Sequence, residues 1–418
     1  MRLRVGLLVA ALIAAVLVLA LLPGDPAPDT PDDRGTLTNR EDRPRAAREG
    51  QPRQTSDGEA GEIAEEVPPY LRAKPRISNE RSWRIAPGVQ FRRWDQTDSR
   101  GQIRAYLTTI DPTKPGVSID YASGGLVPDR GPLTELLKRD AAVIGVNGGF
   151  FDIFDTGAPL GVGQDRQRGF LHGARYTWNN AFWMDASGRP TIGEMPLDAQ
   201  ILEYPQMELA NVNSPRARAG AIGVWDPQWG TTSGYSVTDG QKRDVRMVVV
   251  DNGRVVANTT DISSGKEIDG TVMVGRGAGA EQLAQLRVGV KATLQWRLAR
   301  DPAFAISGES ILLRRGAIKV NDDRILHPRT AVGIDRDTGQ ILLLVIDGRQ
   351  PHSRGYTLVE LARLMKKLGA ESALNMDGGG STTVAGLTRK KVFKVLNLPS
   401  DGVQREIADG IAVTYDAP

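Results

Sequence analysis

The sequence predicts an α+β fold: a single large domain over residues 80–415 with mixed β-sheets and packed helices, preceded by a membrane anchor and a disordered linker. Three observations carry that reading. Ile341 to Val384 spell strand, helix, strand, and each strand ends on an Asp-Gly step. Ser82 to Tyr121 and several later stretches alternate as half-buried strands. The 47 glycines and 25 prolines, many at turn positions, suit a sheet-rich domain with many corners.

Composition narrows the function classes. A net charge of +3 without a long basic run does not describe a nucleic-acid binder. Cysteine is absent, which removes disulfides, thiolate chemistry and Cys-based zinc sites.

At the N-terminus, a basic Met1-Arg2-Leu3-Arg4 start is followed by an apolar run of 18 residues, Val5 to Leu22. That run is long for the apolar part of a signal peptide and sits at the short end for a spanning helix. No clean Ala-x-Ala site precedes Pro23. Residues 1–22 therefore read as a single-pass anchor in the cell membrane, with the basic residues inside and the remainder extracytoplasmic. A cleaved segment would instead give a secreted protein. Residues 23–75 hold nine prolines and a mixture of Asp, Glu and Arg. Such a segment cannot bury enough surface to offset its ordering entropy. It reads as a disordered tether, with a short helix near 61–67.

In the domain itself, Gly88 to Trp94, Gln102 to Leu107 and Val117 to Tyr121 are the first strands, and Leu133 to Leu137 starts a helix with Pro132 at its first turn. Ala141 to Val146 is an apolar strand that runs into Asn147-Gly148-Gly149. Two glycines let the backbone approach a ligand or turn sharply, and Asn-Gly alone is equally a hairpin signal. Residues 169–305 are the least informative part. Tyr176, Trp178, Phe182 and Trp183 cluster near His172 and read as core more than as a sugar platform, and Asp251-Asn252-Gly253 marks a hairpin. Leu283 to Val288 reads as a short helix or strand. Glu309, in Ser307-Gly308-Glu309-Ser310, is either an acid near a pocket or a polar turn residue.

His327-Pro328-Arg329-Thr330 opens a strand, and the Asp337–Gly339 turn leads back into Ile341–Ile346. That puts Arg329 beside the strand that ends at Asp347. Its guanidinium fork suits the two non-bridging oxygens of a phosphate, or else a structural carboxylate. Arg349 and Arg354 are further phosphate candidates. Thr357 and Glu360 form a capping box for a helix with Leu358, Leu361, Ala362, Met365 and Leu368 on one face and Gly369 as its stop. The second strand, Ser372 to Met376, ends at Asp377-Gly378-Gly379-Gly380-Ser381-Thr382. If the two strands are parallel neighbours, both carboxylates lie at one sheet edge, the usual place for chemistry in strand–helix–strand units. Three glycines bare the surroundings of Asp377, and their N–H groups with the Ser381 and Thr382 hydroxyls can form an anion-binding concavity. A nucleotide loop would place a lysine there, so no nucleotide partner is expected. Arg405 precedes a final apolar strand and is a candidate for reaching the site.

Four of these motifs, GVNGGFFD at 145–152, HPRTAVGID at 327–335, DGRQ at 347–350 and the run from Thr357 through DGGGSTT, together resemble the phosphodiester glycosidase family. They occur in the family's order, and the resemblance covers about residues 105–415. The best-understood type of that family removes N-acetylglucosamine from an α-linked phosphodiester on mannose 6-phosphate glycans, and bacterial relatives are associated with exopolysaccharide biosynthesis. The resemblance implies a glycoside hydrolase acting on a phosphate-linked saccharide, with a cell-envelope polymer as its partner. It also implies that Asn147, Gly148 and Gly149 belong to the sugar-binding and catalytic pocket, and that Pro159-Leu160-Gly161 forms a strand after it.

Glycosyl transfer to water needs stabilisation of an oxocarbenium-like transition state and, for a poor leaving group, an acid. A phosphomonoester already leaves well, so arginine and backbone donors can do much of that work. Asp377 is assigned as general base or nucleophile and Asp347 as its partner or orienter. His327 and His352 are the proton-carrier candidates. Asp347 and Asp377 together would also suit Mg2+ or Ca2+, although catalysis without a metal is the preferred reading. Two other function classes compete: a metal-dependent phosphodiesterase, and a non-catalytic glycan or cell-wall binding module.

Overall fold

Ile341–Ile346 is apolar at every position, and such a strand needs cover on both faces. The computed structural model, which describes residues 59–417 apart from residue 72, supplies it. Ile341, Leu343 and Val345 point into one core, and Leu342, Leu344 and Ile346 into another. The second core lies under the helix Leu358–Lys367, through Leu361, Ala362, Leu364 and Met365. Each such side chain, fully buried, contributes about 1.5–3 kcal/mol relative to exposure. The capping box is formed on both sides: Thr357 accepts from the Glu360 N–H, and Glu360 accepts from the Thr357 N–H. Gly369, at φ +105°, ends the helix.

This strand belongs to an eight-stranded antiparallel sheet. Edge to edge it runs Arg76–Ala86, Val89–Asp98, Gly101–Ile110, Ile341–Ile346, Arg329–Ile334, Ser372–Asn375, Ile311–Arg314 and Ala317–Ile318. The two strands that end on Asp-Gly are parallel in direction, as expected, but they are not neighbours. Arg329–Ile334 lies between them and pairs antiparallel with both, Arg329 opposite Ile346 and Ala331 opposite Asn375. The Ile341–Ile346 strand is already paired on both sides, with its hairpin partner Arg329–Ile334 and with the distant strand Gly101–Ile110, so the helix crosses over one strand before the chain returns. Both Asp-Gly steps still reach one edge, and the intervening strand starts there with Arg329.

The first core is shared with a five-stranded sheet ordered Phe393–Val395, Val384–Leu387, Ile144–Asn147, Asp409–Tyr415, Val117–Ser123. Residues 163–307 supply all ten strands of a ten-stranded sheet, which includes the hairpin at Asn252-Gly253, both at positive φ. Phe182 and Trp183 are buried there, as read, and Tyr176 lies outside the core under Arg218.

Three local expectations are revised. Glu62–Ile63 is a strand paired with Ile325–Leu326, not part of a helix or tether, because its backbone finds an open edge beside His327. Pro159 makes only an isolated bridge to Phe151 and no strand. Ala278–Ala284 is helical, beginning five residues and ending four residues ahead of the expected Leu283–Val288. The anchor at 1–22 and the tether up to residue 58 lie outside the described residues. Among the described residues no helix is long and apolar enough to cross a membrane.

Candidate active site

The Asp377 loop leaves the eight-stranded sheet and enters the five-stranded one at Val384, so it bridges the seam between them. Asn147, at the end of its own strand, is buried in that seam. Its Oδ1 accepts from Thr330 Oγ1 (2.6 Å) and from the Thr383 N–H (3.1 Å), and its Nδ2 donates to the Asp377 carbonyl (2.8 Å). The Asp377 N–H in turn donates to the Gly148 carbonyl at 3.0 Å. The structure thus joins the Asn147-Gly148-Gly149 and Asp377 motifs directly, and Asn147 acts on the backbone of the loop. Its side chain thus bonds Thr330 and the backbone at both ends of the Asp377 loop.

His327-Pro328 threads between the two Asp-Gly steps. A Cβ on Gly348 would lie 2.6 Å from Pro328 N, and one on Gly378 would lie 2.7 Å from the Pro328 carbonyl. The Gly379 N–H donates to that same carbonyl at 3.1 Å. Gly379 also sits at φ +57°. These glycines are required by close backbone approach. At Gly380 the crowding comes from a side chain, the Arg405 guanidinium, which is held by Asp401. Arg405 therefore reaches the glycine loop.

Asp347 is buried and richly bonded. Oδ2 accepts from Tyr106 Oη at 2.8 Å and faces His352 Nε2 at 3.3 Å; Oδ1 accepts from Asn397 Nδ2 at 3.1 Å and the Leu398 N–H at 3.3 Å. Burial raises its pKa above the ordinary carboxylate value despite these donors. Asn397 also donates to the Thr382 carbonyl and accepts from the Val384 N–H, tying Asp347 to the glycine loop. Asp347 takes the donors because the strand end points back into the core beside Tyr106. Arg349, at φ +57°, turns away and pairs with Glu59 (2.5 Å) and with His327 Nδ1 (3.2 Å). Asp377 Oδ1 accepts from the Gly378 N–H at 2.9 Å. Among the described residues, the buried hydroxyls of Ser381 and Thr382 have no hydrogen-bond partner.

Arg329 is buried at the strand start, with Nε donating to the Tyr356 carbonyl and Nη2 to the Ile325 carbonyl. Burial pulls its pKa down to about 10, which leaves it charged at neutral pH, and Glu309 is among the carboxylates whose field opposes that fall. Glu309 itself is held at the turn by its backbone, donating to Asn375 and accepting from Asn180. Arg354 does not join the glycine loops: Asp98 and Glu360 hold its guanidinium in an ion-pair cluster that includes Arg100 and Asp323. A ring of carboxylates at the helix start outcompetes any other use of it. His327 is buried, accepts from Arg349, and is covered by Gly61, whose Cβ position lies 2.4 Å from its ring. Among the described residues no group of three or more His, Cys, Asp or Glu is arranged to hold a metal ion.

Sequence reasoning missed Tyr106, Asn397, Asp409 and His172. Tyr106 read as an inward residue of an alternating strand, and Asn397 lay in an unremarkable turn. Asp409 sits in an apolar closing strand, and the Gly148 and Gly149 N–H groups donate to its carbonyl and to its Oδ1.

Residues 227–414 match the family model described as phosphodiester glycosidase. A prophage-derived uncharacterized protein, YomE, of Bacillus subtilis is 34% identical over 96 residues, 22% of this chain and 14% of that one. Mouse N-acetylglucosamine-1-phosphodiester alpha-N-acetylglucosaminidase is 30% identical over 156 residues, 32% of this chain and 27% of that one. The chain thus spans well under two thirds of the length of these relatives. A crystal structure of a hypothetical protein from Synechocystis shares the fold, with a TM-score of 0.66 at 22% identity, over 81% of this chain and 64% of that one. The likeness to the phosphodiester glycosidases thus rests on residues 227–414, a little under half of the chain, and on short matches to relatives of that name.

Proposed function

We propose that the domain hydrolyses a glycosyl-1-phosphodiester bond in a cell-envelope glycan or related glycoconjugate, on the extracytoplasmic side of a membrane to which residues 1–22 attach it. The observation that carries the reading is the seam itself: the Asp377 loop and two buried hydroxyls, with no partner among the described residues, lie where Gly348 and Gly378 close on Pro328, and Asn397 ties that loop to Asp347. Asp377 is the base or nucleophile. Arg329, with Ser381, Thr382 and the glycine N–H groups, receives the phosphate; Arg405 supports the same loop. Asp347 orients His352, which serves as the proton carrier. His352 is preferred over His327 for two reasons. Arg349 can only donate, so His327 Nδ1 must accept and cannot take a proton without losing that bond. His352, by contrast, is partly exposed, with its Nε2 facing a carboxylate.

Hydrolysis of a synthetic sugar-1-phosphodiester in 18O-labelled water tests the reaction class. Label in the released sugar is expected, since the C–O bond breaks. Label in the phosphate would show a phosphodiesterase, and saccharide binding without turnover would show a binding module.

A further inference from the structure

Behind the Asn147-Gly148-Gly149 strand end lies a buried chain of titratable groups with no part in the chemistry above. Asp409, Tyr121 and His172 come from three different strands, and all are at most 3% exposed. Asp409 Oδ1 accepts from the Gly149 N–H at 2.6 Å. Asp409 Oδ2 and Tyr121 Oη are 2.7 Å apart, Tyr121 Oη and His172 Nε2 are 2.8 Å apart, and His172 Nδ1 is 2.7 Å from the Gly161 carbonyl.

Counting protons decides the state of this chain. A carbonyl can only accept, so His172 Nδ1 carries a hydrogen. Two links remain, carboxyl to hydroxyl and hydroxyl to imidazole. Tyr121 supplies one hydrogen, and a carboxylate with a neutral, Nδ1-protonated imidazole supplies none. Both links therefore require one additional proton, either on Asp409, with Tyr121 donating to His172, or on His172 Nε2, with Tyr121 donating to Asp409.

We infer that Asp409, Tyr121 and His172 store one shared proton, and that Asp409 is a positioning residue which sets the Gly148–Gly149 backbone against the Asp377 loop according to that proton. With the proton present the three groups are neutral together. Without it, two lone pairs face one hydroxyl, and a negative charge stays buried on the carboxylate that holds Gly149. The remaining charged groups near the chain are Arg168 and Asp165, which pair with each other and leave little net field on it. Burial pushes Asp409 up to about 6 and His172 down to about 4, so the carboxyl is the favoured resting place and the proton leaves near neutrality. The positioning role rests on the proposed site; the shared proton does not.

The test is 15N NMR of the full chain between about pH 4 and about pH 8, the range over which histidine and a raised carboxyl titrate. It reads the Gly149 amide and the His172 ring nitrogens and needs no substrate, so its failure is separable from failure of the proposed hydrolysis. In the native protein the two signals should move together with a single midpoint. Asp409→Asn supplies the missing donor permanently, so Gly149 should stay at its low-pH position throughout. Tyr121→Phe removes the bridge, so any remaining titration of His172 should no longer move Gly149. Independent midpoints in the native protein, or a Gly149 titration that survives Asp409→Asn, would overturn the inference. If the Asn variant fails to fold, the Phe variant decides alone: Gly149 and His172 still moving together in it would equally overturn it.

Discussion

The Asp347 and Asp377 loops leave parallel strands at one edge, each through an Asp-Gly step, yet they are built for different work. Asp347 is anchored by a tyrosine hydroxyl, an asparagine amide, a backbone N–H and a histidine. Its loop is fixed further by Ser353, which donates to the Asp347 carbonyl. The Asp377 loop is fixed instead through its backbone, by Asn147, Pro328 and Asn397. Bonding through the backbone holds a loop in place without drawing on the Ser381 and Thr382 hydroxyls, whereas bonding through the side chain occupies the Asp347 carboxylate. The hydroxyls of Ser381 and Thr382 follow the same division, since neither is bonded among the described residues.

The sharpest way to break this comparison is to neutralise each carboxylate. Asp377→Asn should lower kcat on a sugar-1-phosphodiester by roughly 10³-fold or more, as loss of a nucleophile or positioned base does. Asp347→Asn should cost less, and the reverse order in steady-state kinetics would make Asp347 the reacting group. The next effect belongs to Arg329. Arg329→Ala should weaken the transition state for a phosphodiester by about 2–5 kcal/mol while affecting a simple glycoside much less. Equal losses on both substrates would reduce Arg329 to a clamp on the Tyr356 and Ile325 carbonyls.

Two smaller effects concern stability. Asn397→Leu leaves Asp347 Oδ1, the Thr382 carbonyl and the Val384 N–H each short of a partner and should cost about 1–3 kcal/mol in urea unfolding. A change within noise would mean the two loops are not coupled through Asn397. Asp347 has a raised folded pKa, so its stabilising share is fully present below the ordinary carboxylate value and is lost as pH rises through the folded value. Tm of Asp347→Asn minus Tm of the native protein should therefore rise with pH across that window, and a difference that stays flat or falls would contradict the burial argument. Smallest of all, Ser381→Ala should change stability by no more than about 0.5 kcal/mol in the same assay, because its hydroxyl has no partner among the described residues to lose; a larger loss would show a structural role.

Much of the edge was legible in the sequence for a simple reason. Ile341–Ile346 and Ser372–Asn375 are apolar runs separated by an amphipathic helix with both caps in place, so their common direction follows from local chemistry alone. The strand between them did not follow, because pairing depends on which edges remain open once the hairpins have formed. Side-chain partners were harder still. Nothing near Asp347 in sequence indicates Tyr106 or Asn397, which arrive from strands and turns far along the chain. Arg349 stands two residues from Asp347, but its left-handed backbone sends it to Glu59 and His327. The ten-stranded sheet was poorly legible for a related reason: its strands are four to seven residues long for the most part, too short for alternation to stand out.

The strand that separates the two carboxylates has a kinetic consequence. Arg329–Ile334 is bonded along both sides and buried at every residue. No small opening can free its amides, because either flank must be stripped from the centre of the sheet first. Its N–H groups should thus exchange with solvent only through the largest unfolding events the domain undergoes. The residue at its start, Arg329, is then as durable as the fold itself: a destabilised variant that still keeps its sheet would keep this arginine in place until the whole sheet comes apart.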